Sequence, residues 1–151
     1  MTQSTYKSDL STDEKVMMGI VRAAELFKKD SDTIFRNYGL TFSQYNALRV
    51  LDASKNGTST ITNVSRIMLV SGANMTGVAK RLEKNGFLIR RRDPHDERVT
   101  LLEITPKGSQ TLKNIAEEKE TNLKRYLEDY SEDQKIHLLS SLKGILKKRK
   151  S

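Results

Sequence analysis

The 151-residue chain contains no cysteine, and that one absence excludes disulfide frameworks, thiolate zinc sites and thiol-based redox sensing together. Histidine is nearly as scarce. His95 and His137 are the only two, and neither has metal-ligand spacing or a nucleophile beside it. A Gly-rich phosphate-binding loop is also missing, and carboxylates such as Glu117-Glu118 fall in a polar helical run that reads as a solvated face. The expectation is a protein with no catalytic residues, no metal and no cofactor, and so not an enzyme. Nowhere do about eighteen uncharged apolar residues follow one another, and the start MTQSTYKSDLSTDEK lacks a basic stretch leading into an apolar run. A cytoplasmic protein without membrane association is therefore expected. No repeat, low-complexity segment or Pro/Gly/Ser linker divides the chain, so residues 1–151 read as a single domain, long enough to bury a core without staples.

What is abundant is positive charge. The formal net charge is +8, which favours a polyanionic partner. From Thr62 to Arg92 there are seven cations (Arg66, Lys80, Arg81, Lys84, Arg90, Arg91 and Arg92) against the single carboxylate of Glu83. A second cluster, Lys143, Lys147, Lys148, Arg149 and Lys150, reads as a solvated helix end favoured by the macrodipole.

Helix starts are well signposted. Ser/Thr-x-x-Glu/Gln capping boxes stand at Ser11 to Glu14, Thr41 to Gln44 and Ser131 to Gln134. The first helix carries Ile20, Ala23, Ala24, Phe27, Ile34, Phe35 and Tyr38 on one face and stops near Asn37 to Gly39; the second carries Tyr45, Leu48 and Leu51 and ends before a loop, Asn56-Gly57-Thr58-Ser59. Thr105-Pro106 predicts a long helix to about Asp129. The last helix carries Ile136, Leu139, Leu142 and Ile145. Between them the pattern predicts a helix over 62–69 with Val64, Ile67 and Met68 inward, a turn at Val70-Ser71-Gly72, and a helix from Ser71 to Asn85-Gly86. Two β-rich runs follow, 87–92 and 99–105, around the loop Asp93-Pro94-His95-Asp96-Glu97. Helix, tight turn, helix, hairpin is the order of a winged helix-turn-helix. The fold class expected is mostly α with a small β-hairpin (α+β), with long dimerisation helices at both ends. Residues 1–38 and 106–149 form those helices, because their apolar surface exceeds what so small a unit buries alone; residues 40–105 form the DNA-binding lobe.

On a helical wheel, Met75, Val78, Ala79 and Leu82 gather on one side of the 71–84 helix. Ala73, Gly77, Lys80 and Lys84 occupy the other, with Thr76 on one shoulder and Asn74 and Arg81 on the other shoulder. Small groups near the helix start and cations towards its end suit a helix laid in a major groove. Asn74 fits bidentate recognition of adenine, Lys80 and Lys84 fit phosphates, and Arg81 fits either. Gly77 costs about 1 kcal/mol in a helix interior, for which close approach to DNA and tight packing against the preceding helix are equally good reasons. In the hairpin, Arg98 suits a narrow minor groove and Asp96 can hold its guanidinium. Arg90, Arg91 and Arg92 alternate across a strand, so at most two meet phosphate and the remaining one bridges to an acidic neighbour; Arg91 is placed among the DNA contacts with Ser71, Ala73, Asn74, Thr76, Gly77, Lys80, Arg81, Lys84, Asp96 and Arg98.

Three segments resemble the MarR family of bacterial regulators: Leu69-Val70-Ser71-Gly72-Ala73-Asn74-Met75-Thr76, then Arg81-Leu82-Glu83-Lys84-Asn85-Gly86-Phe87-Leu88, then Asp93-Pro94-His95-Asp96-Glu97-Arg98 running on to Ile104-Thr105-Pro106-Lys107-Gly108. The resemblance implies a homodimer built on the first helix, the helix opening at Thr105-Pro106 and the last helix, binding a palindromic double-stranded DNA operator as a repressor. It also implies a ligand site between the dimer core and the DNA-binding lobe, and Glu97, where relatives often carry a second base, implies a weaker wing contact. Phe35, Tyr38, Phe42, Tyr45 and Arg49 form an aromatic cluster with a cation, suited to a small aromatic or anionic effector, although core packing explains the aromatics equally well. The alternative is a winged helix used for protein contacts or RNA without operator binding, which the basic outer face disfavours.

Overall fold

In the computed structural model, which describes residues 9–149, each helix opens on a serine or threonine whose side-chain oxygen accepts an amide three positions on. The caps are Ser11 for α1 (Thr12–Arg36), Thr41 for α2 (Phe42–Asp52), Thr60 for α3 (Ile61–Met68), Ser71 for α4 (Gly72–Lys84), Thr105 for α5 (Pro106–Leu127) and Ser131 for α6 (Glu132–Leu146). Each such cap contributes about 1 kcal/mol by satisfying an amide that the helix cannot. The full reciprocal box forms at Thr41/Gln44 and Ser131/Gln134; at Ser11 only the amide half forms.

Three antiparallel strands complete the fold, β1 (Thr58–Thr60), β2 (Leu88–Asp93) and β3 (Asp96–Ile104), in the order β1-β3-β2. The expected loop at 56–59 is thus a 3-10 turn followed by a short edge strand: Asn56 and Gly57 take left-handed conformations, and Ser59 then pairs with Leu102. The hairpin turn is tighter than the five-residue loop expected, because Asp93 pairs directly with Asp96 and only Pro94-His95 span the tip. The Asp93 side chain accepts the His95 amide at 2.8 Å and holds that turn.

The core forms where α2 lies under the other elements. Leu48 and Leu51 of α2, Val64 of α3, Met75 and Leu82 of α4 and Leu102 of β3 are completely buried, and each such side chain stabilises the fold by about 1.5–3 kcal/mol relative to exposure. Ile67, expected inside, is instead half exposed, as is Leu69, which ends α3 in the left-handed region at φ 55°. That conformation turns the chain sharply into α4.

The junction of α4 with α5 is tightly fitted. Thr105 Oγ1 donates to the Gly86 carbonyl at 2.6 Å, the Thr105 amide donates to the Phe87 carbonyl, and Lys107 Nζ donates to the Asn85 carbonyl at 2.6 Å while lying over the Phe87 ring. Gly108 is required here. A Cβ on it would stand 2.4 Å from the Phe87 carbonyl oxygen and 2.7 Å from Ile104 Cγ1.

The ends of the chain look different. Val16, Met17, Met18, Val21 and Leu26 on α1, and Ile136, Leu138, Leu139 and Leu146 on α6, are all exposed, and α6 buries none of its residues.

Candidate nucleic-acid interface

α4 exists in this orientation because Met75, Ala79 and Leu82 are fully buried at related spacing, which commits one face inward and leaves the other to solvent. Ser71, Ala73, Asn74, Lys80, Arg81 and Lys84 are exposed, and Thr76 and Gly77 are half exposed. The Ser71 hydroxyl is occupied as the cap, accepting the Asn74 amide at 3.1 Å. Thr76 Oγ1 donates to the Gly72 carbonyl at 2.9 Å, which turns the hydroxyl back to its own helix. The Asn74 amide group and the cationic heads of Lys80, Arg81 and Lys84 have no hydrogen-bond or ion-pair partner among the described residues. A Cβ on Gly77 would meet nothing within 4 Å. Packing against the preceding helix therefore does not account for that glycine.

The three arginines of β2 are sorted by their neighbours. Arg90 binds Glu83 of α4 through its amide (3.0 Å), its Nε (3.0 Å) and one terminal nitrogen (2.9 Å), tying the hairpin to the recognition-type helix. That guanidinium holds the Glu83 carboxyl below its usual pKa. Arg90 is thus one of two strand arginines that bridge to an acidic neighbour. Arg91 reaches Glu103 on the adjacent strand at 3.4 Å with about half of its side chain exposed, and Arg92 donates to the Glu97 carbonyl.

At the hairpin, Asp96 accepts from the Arg98 amide (3.0 Å), from its Nε (3.1 Å) and from a terminal nitrogen (3.4 Å). The Arg98 side chain is nonetheless 91% exposed. A fork so held is oriented without being buried, and its charge keeps the Asp96 carboxyl below the ordinary range.

The aromatic cluster forms in part as expected. Phe35 stacks on Tyr45 with centroids 3.9 Å apart, and Phe42 packs at 6.2 Å from Phe35. A cavity of about 320 Å³ opens beside them between α1, α2 and α5, where Phe35, Phe42, Tyr45 and Arg49 line it together with Phe27 and Lys119. Tyr38 does not line it. Its hydroxyl donates instead to Glu118 of α5, eighty residues away in sequence, and that bond raises the phenol pKa. Sequence spacing places Phe27 on the apolar face of the first helix and does not single out Lys119, because nothing in that spacing brings α5 to this wall.

Among the described residues no helix is long and apolar enough to cross a membrane, and no group of three His, Cys, Asp or Glu could hold a metal.

The sequence profile of the MarR family matches residues 38–99, the segment that begins just after α1 and ends within β3. Among characterised and uncharacterised regulators, the HTH-type transcriptional regulator PecS of Dickeya dadantii is 25% identical over 140 residues, covering 90% of this chain and 83% of its own. YkoM of Bacillus subtilis, an uncharacterised HTH-type transcriptional regulator, is 39% identical over 79 residues; that match spans about half of either protein, 52% of this chain and 51% of YkoM. The crystal structure of Sco3205, a MarR family regulator from Streptomyces coelicolor in complex with DNA, superposes with a TM-score of 0.83 at 20% identity over 95% of this chain and 91% of that one. Residues 38–99 thus resemble the MarR family of transcriptional regulators in sequence, and the six helices and three-stranded sheet of the described residues have the fold of its solved members.

Proposed function

We propose that two copies of the chain bind a palindromic double-stranded operator as a cytoplasmic repressor, each laying α4 in a major groove and its hairpin along the adjacent minor groove. The observation that carries this reading is the outer face of α4, where Lys80, Arg81 and Lys84 stand exposed and unpartnered around the open position of Gly77. Residues 40–105 act as the DNA-binding lobe, with Ser71, Ala73, Asn74, Thr76, Gly77, Lys80, Arg81, Lys84, Arg91, Asp96 and Arg98 as its contacts. The Asn74 amide reads a base edge, the lysines neutralise phosphates, and Arg98, oriented by Asp96, enters the minor groove. Arg91 reaches phosphate by leaving its 3.4 Å pair with Glu103, a surface ion pair of little energetic weight.

Residues 9–38 and 106–149 serve as the dimerisation helices; the remaining part of the segment expected there, residues 1–8, lies outside the described residues. Support comes from the exposed apolar side chains at both ends, which a two-fold partner would cover. The two α4 helices then lie about 34 Å apart, one turn of duplex. A small aromatic or anionic effector fits the cavity of about 320 Å³, stacking on Phe42 or Tyr45 with its charge toward Arg49 and Lys119.

Selection of bound duplexes from a random pool, followed by footprinting, tests the reading. A two-fold symmetric footprint is expected, and Arg98→Ala should weaken binding to the selected duplex by about 1–3 kcal/mol without altering the dimer in sedimentation. An asymmetric or absent footprint would sink the operator assignment, and unchanged affinity in Arg98→Ala would sink the wing contact.

A further inference from the structure

Beyond the carboxyl end of α4 a groove of about 530 Å³ opens between three elements that lie far apart in the chain. Its walls are Arg36 from the last turn of α1, Thr41 and Gln44 at the start of α2, and Arg81, Lys84 and Asn85 at the end of α4. Three of these residues are cations, none is acidic and none is aromatic. Arg36 is braced where it stands. Its Nε donates to Asp32 one turn earlier, and the other oxygen of Asp32 accepts the Phe42 amide at 2.9 Å, so the corner between α1 and α2 fixes the stem of the guanidinium. The terminal nitrogens of Arg36 have no partner among the described residues, and its side chain is 69% exposed. This is the arrangement already seen at the hairpin, where Asp96 orients Arg98 without burying it.

The lining decides what the groove can take. A nucleotide or an aromatic acid would need a ring to stack on, and these walls supply none, in contrast to the cavity beside Phe42. A sugar-phosphate backbone needs only spaced cations along a continuous path. Arg81 and Lys84 provide that path, because they belong both to this groove and to the outer face of α4.

We infer that the groove between α1, α2 and α4 seats the phosphodiester backbone flanking the base pairs read by α4, with Arg36 as a phosphate contact supplied by a helix otherwise devoted to dimerisation. This rests on the proposal that α4 lies in a major groove, and it extends the footprint outward by one phosphate or more on each side.

The test is salt dependence of the full-length chain on a fluorescein-labelled, random-sequence duplex, read by anisotropy with Arg36→Gln, Lys84→Gln, Arg36→Lys, Arg98→Ala and, as a charge-matched control, Lys143→Gln at the end of α6. Arg36→Gln and Lys84→Gln should each lower the slope of log K against log salt by about 0.9, so that the affinity lost between about 50 and 200 mM salt shrinks roughly 3.5-fold. Arg36→Lys should keep the wild-type slope, which separates a charge contact from loss of the Asp32 brace, and Lys143→Gln should leave the slope unchanged. A wild-type slope in Arg36→Gln alongside a reduced slope in Arg98→Ala overturns the groove and leaves α4 and the hairpin in place. No slope change in any variant, or no duplex binding by the wild type, overturns the reading beneath it as well. An equal drop in Lys143→Gln shows a general charge effect and also overturns the groove. So does erasure of the Arg36→Gln difference when low-millimolar inorganic phosphate replaces chloride at equal ionic strength, since the occupant would then be a free anion.

Discussion

Replacing Gly77 by alanine should make the protein more stable and its DNA binding weaker, and the opposite signs are the diagnostic. In α4 the added methyl meets nothing within 4 Å, so folding gains the ordinary helix preference of alanine over glycine, about 1 kcal/mol per chain. For a domain of this length that is a rise in melting temperature of about 2–4 °C. The same methyl projects from the outer face, between Lys84 and Arg81 on the wheel. If that face lies against base edges, the helix must retreat by roughly the depth of a methyl group, and the cations around it lose their contact distances together. The expected loss is about tenfold, at the lower end of the 1–3 kcal/mol associated with one good base contact. Thermal denaturation followed by circular dichroism gives the first number, and an anisotropy titration against a selected duplex gives the second. A variant that melts lower than wild type would show that the space beside Gly77 is not free; one that binds DNA as tightly as wild type would refute the placement of this face in the groove.

Gly108→Ala should act in the other direction on stability. Its Cβ would collide with the Phe87 carbonyl and Ile104, so a loss of about 1–3 kcal/mol is expected in chemical denaturation; an unchanged midpoint would mean that the α4–α5 junction yields easily. The Glu83–Arg90 bridge predicts an acid dependence whose sign follows from the depressed carboxyl. Folding lowers the pKa of Glu83 from 4.5, so its contribution is present above that value and is lost as the pH falls through the lower, folded-state pKa. Glu83→Gln should therefore flatten the decline of melting temperature below about pH 4.5; parallel wild-type and variant curves would contradict it.

Much of this fold is legible in the sequence because its local signals agree. Serine or threonine caps open each described helix, and the buried positions of α4 recur at helical spacing. β1 escapes such reading for a physical reason: Thr58-Ser59-Thr60 is too short for an alternating pattern, and its place in the sheet comes from backbone pairing with Leu101, Leu102 and Glu103. Ile67 misleads because its spacing matches that of Val64 and Met68, while the short α3 leaves it at the rim. The hairpin side chains follow from adjacency, since Asp96 and Arg98 are two residues apart. The Arg36 groove and the Lys119 wall do not, because each joins distant segments, α1, α2 and α4 at the groove and α1, α2 and α5 at the wall. Tyr38 leaves the aromatic cluster for the same reason; the carboxylate that draws it away belongs to α5.

The seam at Thr105, Lys107 and Gly108 has a mechanical consequence. Two short hydrogen bonds and a lysine over a phenyl ring weld the tail of one helix to the head of another, with no slack into which either could slip. In a two-fold assembly built on α5, any change in the angle between the paired shafts would be delivered undamped to the reading heads. A molecule wedged far from the double helix could thus alter its grip by leverage alone.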